Sequence, residues 1–75
     1  MNIWIGDEVE VLSEPYKGIR GEIVYETKNM FWIRDEKGRR LKIPKRGTIF
    51  LVSGKYKVHG STVMLRPWDR VVKDP

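Results

Sequence analysis

Seventy-five residues make one domain spanning 1–75, near the lower limit at which a single core holds a fold without staples. With no cysteine, disulfides and thiolate metal sites are excluded, and a lone histidine, His59, cannot build a zinc centre. The net charge of +5 is unevenly spread: residues 1–26 hold two cations against six carboxylates, a net of −4, and residues 27–75 hold thirteen against four, a net of +9.

After a short apolar entry, Ile3 to Gly6, the first strand is predicted over Asp7 to Leu12, with Val9 and Val11 inward and Glu8 and Glu10 in water. Ser13 to Gly18 is a loop. Gly21, inside a strand pattern, signals a bulge or a close approach of two backbones. Ile23 and Tyr25 alternate with Glu22, Val24 and Glu26, and that period of two is the strand signature. Thr27-Lys28-Asn29 is a polar turn. Met30 to Arg34 resumes as a strand with Phe31 and Ile33 inward and Met30, Trp32 and Arg34 outward. Asp35 to Gly38 turns the chain into Arg39–Ile43, where Leu41 and Ile43 face inward.

Pro44-Lys45-Arg46-Gly47 is a basic turn, followed by Thr48 to Val52, an apolar run that suits a strand crossing a barrel or covered on both sides. Tyr56 to Val58 is the next strand, and Gly60-Ser61 turns into an extended Thr62 to Leu65. Pro67 opens a short terminal helix with Trp68, Val71 and Val72 on one side. No apolar run approaches the roughly 20 residues of a membrane helix, and the N-terminus lacks the order of a signal peptide. The chain therefore reads as soluble and cytoplasmic, with no membrane partner. Short strands at this spacing, joined by Gly-rich turns, predict an all-β fold: a small six-stranded antiparallel Sm-like (SH3-like) barrel with a short C-terminal helical turn.

Nothing along the chain pairs a nucleophile with a base, and no catalytic residue or metal ligand is expected. Binding is better supported, because the basic excess of the later residues points to a polyanion, nucleic acid above all. In a meander the turns after alternate strands lie at one end, which brings Lys28 and Asn29 near Lys45 and Arg46, a grouping able to meet phosphates. On the outer face of the central hairpin, Trp32 and Arg34 lie opposite Arg40 and Lys42, and cations interleaved with an aromatic can stack a base or hold a backbone. Arg66 and Arg70 extend the basic set, although Asp69 can pair one of them. Trp4, Trp32 and Trp68 are candidate contacts to a protein partner.

The string Glu26-Thr27-Lys28-Asn29-Met30, the later Pro44-Lys45, and Gly60-Ser61 followed by Arg66-Pro67-Trp68-Asp69-Arg70 resemble ribonuclease P protein component 1, the Sm-like subunit of archaeal ribonuclease P. The likeness runs from about Ile5 to Val71. It implies a subunit of a ribonucleoprotein that removes 5′ leaders from precursor tRNA, in which the RNA carries catalysis with Mg²⁺ and this chain holds no cofactor of its own. The partners so implied are ribonuclease P RNA, further protein subunits including a zinc-ribbon subunit, and precursor tRNA indirectly. Against the family pattern this sequence is short at both ends, where the zinc-ribbon subunit is expected to dock. The segment Gly6-Asp7 to Gly21-Glu22 also resembles the KOW element of ribosomal and transcription-elongation proteins, but that element leaves Thr27–Met30 and Arg66–Arg70 unexplained.

Overall fold

Alternation along the chain becomes six antiparallel strands: β1 (Glu8–Val11), β2 (Arg20–Glu26), β3 (Met30–Arg34), β4 (Arg40–Pro44), β5 (Ile49–Val52) and β6 (Tyr56–His59). They form one sheet in the order β4-β3-β2-β1-β5-β6. The computed structural model describes residues 2–66 and Asp69. The predicted terminal helix from Pro67, with Trp68, Val71 and Val72, lies outside the described residues, Asp69 aside.

One face of the sheet carries the core. Val9, Val11, Ile23, Phe31, Ile33, Ile43, Phe50, Val52 and Val58 are buried, joined by Ile3 from the entry and Val63 from the exit. Phe31 on β3 meets Phe50 on β5 edge to face at 5.4 Å, although two strands separate β3 from β5 in the sheet. Only a strongly curled sheet lets them touch. The curl brings the end of β4 against the end of β6. A Cβ on Gly60 would sit 1.9 Å from the Lys45 carbonyl oxygen, so only glycine fits that corner.

The expected closure by hydrogen bonds does not occur: β4 and β6 share no ladder among the described residues. The edge of β4 is instead blunted by Arg40, Lys42 and Pro44, whose charges and missing N–H discourage a further strand.

Of the two readings open for Gly21, the close approach holds and the bulge falls elsewhere. Gly21 marks a close backbone approach, with a built Cβ only 2.0 Å from the Arg34 carbonyl oxygen. The bulge lies further on, where the register passes from Ile23↔Ile33 to Tyr25↔Trp32 and leaves Val24 without an opposite residue. That extra residue reverses the alternation. Tyr25 consequently faces out, 57% exposed, and Glu26 faces in. The extended segment predicted over Thr62–Leu65 is also absent. Gly60–Val63 forms a 3₁₀ turn, in which the Thr62 hydroxyl donates to the His59 carbonyl and Val63 is buried.

Candidate nucleic-acid interface

Thr27 shapes the first of the two turns. Its hydroxyl oxygen accepts the Met30 N–H at 3.2 Å, while its own N–H donates to the Met30 carbonyl at 2.9 Å. Met30 pairs with Pro44 in the ladder, and one step beyond it the Lys45 N–H donates to the Asn29 carbonyl at 2.9 Å. The two turns therefore meet at one end of the sheet, as the meander argument requires. Lys28, Asn29 and Arg46 are exposed there, and the side chains of Lys28 and Arg46 make no hydrogen bond or ion pair with any described residue. Two uncommitted cations beside an exposed amide are suited to phosphate oxygens.

Lys45 does not join them. Its ammonium is fully buried, 2.6 Å from the equally buried Glu26 carboxylate. It also donates to the carbonyls of Val63 at 3.0 Å and Leu65 at 3.1 Å, and lies 4.7 Å from the centre of the Phe31 ring. The bulge at Val24 sends Glu26 inward, and Lys45 follows because a lone buried carboxylate is costly. The residue expected to hold phosphate instead ties the ends of β2 and β4 to the 3₁₀ turn.

The outer face is laid down by the β3–β4 register, Trp32 opposite Lys42 and Arg34 opposite Arg40. The Lys42 ammonium stands 5.4 Å from the centre of the Trp32 ring. Tyr25 adds a second ring, its centroid 5.2 Å from that of Trp32 at an interplanar angle of 73°. Val24, Tyr25, Trp32 and Arg40 line a hollow of about 440 Å³. Arg40 is exposed, and its side chain makes no hydrogen bond or ion pair with the described residues. Arg34 is committed to Glu22 at 2.7 Å, so a phosphate there would have to compete with a carboxylate.

Arg39 is committed too. Its guanidinium and backbone N–H both donate to the Asp35 carboxylate, which also accepts the Lys37 N–H. Partial desolvation pulls the Asp35 carboxyl upward, but the Arg39 N–H, the Arg39 guanidinium and the Lys37 N–H together hold it below its ordinary value. The β3–β4 turn thus keeps its anchor at neutral pH and loses it as pH falls through the acid range.

Of the remaining candidates, Arg66 is exposed and its carbonyl accepts the Asp69 N–H at 3.0 Å. Trp4 is 38% exposed, and its N–H donates to the Asp7 carboxylate. Arg70 and Trp68 lie outside the described residues. Ser13 is structural, its hydroxyl oxygen accepting the Ile49 N–H. Tyr25 is the site residue that sequence reasoning missed. A strict period of two keeps it on the same face as Ile23, and only the register across β2 and β3 exposes the extra residue.

The sequence model of the family described as ribonuclease P/MRP, subunit p29, matches residues 2–73. A ribonuclease P protein component 1 from Thermoplasma volcanium is 42% identical over 71 residues, covering 91% of this chain and 79% of that protein. One from Archaeoglobus fulgidus is 42% identical over 74 residues, covering 91% and 72%. The structure of Mth11, described as a homologue of human RNase P protein Rpp29, superposes with a TM-score of 0.60 at 25% identity, covering 92% of this chain and 97% of Mth11. These matches run through the half of the sequence that a KOW element leaves unexplained. The chain belongs to the ribonuclease P/MRP p29 family.

Proposed function

We propose that this chain is the RNA-holding protein subunit of a ribonuclease P, neutralising phosphates of the catalytic RNA rather than acting on precursor tRNA itself. Family membership supports the subunit role. The observation that carries the RNA-holding role is the meeting of the Lys28-Asn29 and Arg46 turns at one end of the sheet, with both cations uncommitted. Arg40 and Lys42 continue the positive surface along the adjoining face. Cleavage chemistry is left to the RNA and its Mg²⁺. Other protein subunits, a zinc-ribbon subunit among them, would dock elsewhere, with Trp4 a candidate contact.

Each cation that meets a phosphate releases a counterion on binding. Lys28→Ala, Arg46→Ala and Arg40→Ala should each flatten the plot of log K against log[salt] by about 0.7 to 0.9 for ribonuclease P RNA. Lys17→Ala, in the loop before β2, should leave the slope unchanged. Equal slopes in all four variants would reduce the basic residues to surface solvation.

A further inference from the structure

The hollow beside Tyr25 has a chemistry that phosphate binding does not use. Its four lining residues include two aromatic rings and a guanidinium, and none is acidic. The rings stand 73° apart, so a planar group lying flat on one meets the other as a wall. Lys42 holds one face of Trp32, which leaves Tyr25, 57% exposed, as the ring with most of its surface in water. A half-exposed aromatic corner of this kind gains from a planar ligand with a π face.

We propose that Tyr25 and Trp32 form a stacking site for one unpaired nucleobase of the RNA, with Arg40 over the adjoining phosphate or base edge. This rests on the RNA-holding reading above and adds to it a contact with a base. Charge favours a nucleotide over an acidic-residue-free peptide, since Arg40 and Lys42 flank the rings and the phosphate-binding end is close. Three residues of strand, about 10 Å, separate Trp32 from Asn29 and Lys42 from Lys45. A single strand could therefore place a base on Tyr25 while its backbone continues to Lys28 and Arg46. The base must be unpaired, because a stacked helix offers no free face along its length. The bulge at Val24 is what creates the site, for without the extra residue Tyr25 would point into the core.

The test compares a single-stranded oligoadenylate with an abasic oligomer carrying the same number of phosphates. Tyr25→Ala should weaken oligoadenylate binding about tenfold while leaving abasic binding and the salt slope as in the parent. Tyr25→Phe should restore stacking, and Tyr25 is exposed enough that neither change threatens the fold. Equal affinities of the Tyr25→Ala and parent proteins for oligoadenylate would overturn the proposal, as would equal weakening toward both oligomers. The RNA-holding reading would survive either result, provided that Lys28→Ala and Arg46→Ala still flatten the slope. Salt-independent binding by the parent would instead remove the RNA-holding reading, and the stacking site with it. Loss of a protein subunit from the assembly on Tyr25→Ala, with oligoadenylate affinity unchanged, would assign the hollow to a protein and equally overturn the proposal.

Discussion

Lys45→Met should destabilise this protein by about 3–5 kcal/mol, because it leaves the Glu26 carboxylate buried without its cation. It also strips a donor from the Val63 and Leu65 carbonyls, which hold the 3₁₀ turn against the end of β4. A loss of that size is a large share of the roughly 5–15 kcal/mol that keeps a whole domain folded. Replacing both partners, Lys45→Met with Glu26→Leu, should recover much of the loss, since an apolar pair avoids the desolvation of two charges. Urea melts of the parent, the single variant and the double variant measure both effects. A single variant as stable as the parent, with a flattened RNA salt slope, would put the ammonium back at the surface.

Ile33→Asp should unfold the domain outright. Ile33 is fully buried, paired across the ladders with Ile23 and Leu41, and a carboxylate there has no partner to compensate its lost hydration. Trp32→Asp, one residue away, should stay folded, because Trp32 lies on the outer face against Tyr25 and Lys42. Thermal melts rank the two. The reverse order would mean that the strand faces are exchanged, since a shift of one residue turns every side chain over.

Much of this architecture is readable from alternation because a strand's side chains repeat every two residues. Val9 and Val11, Phe31 and Ile33, and Ile43 are buried as that period requires, with Leu41 packed against the core. The shared end of the Lys28-Asn29 and Lys45-Arg46 turns follows from connectivity alone. What alternation cannot register is a residue without a partner. Val24 shifts the phase of β2 by one, and from that single shift follow the exposure of Tyr25, the burial of Glu26 and the withdrawal of Lys45. A signal does exist in the sequence. Glu26 and Lys45 close β2 and open the turn after β4, which a meander places at the same end, so opposite charges there are candidates for a pair. Composition groups Lys45 with Arg46 as a surface cluster, and burial of a lysine is rare enough to hide the alternative.

A subunit that only holds RNA helps a catalytic RNA without cleaving anything itself. The most direct measurement is leader removal from precursor tRNA at limiting Mg²⁺, by ribonuclease P RNA with its other protein subunits, with and without this protein. No cleavage by the protein alone is expected, with a clear gain in activity when it joins the RNA, and a smaller gain with Lys28→Ala combined with Arg46→Ala. Cleavage by the RNA-free protein, or an RNA whose activity is the same with and without it, would rule that role out.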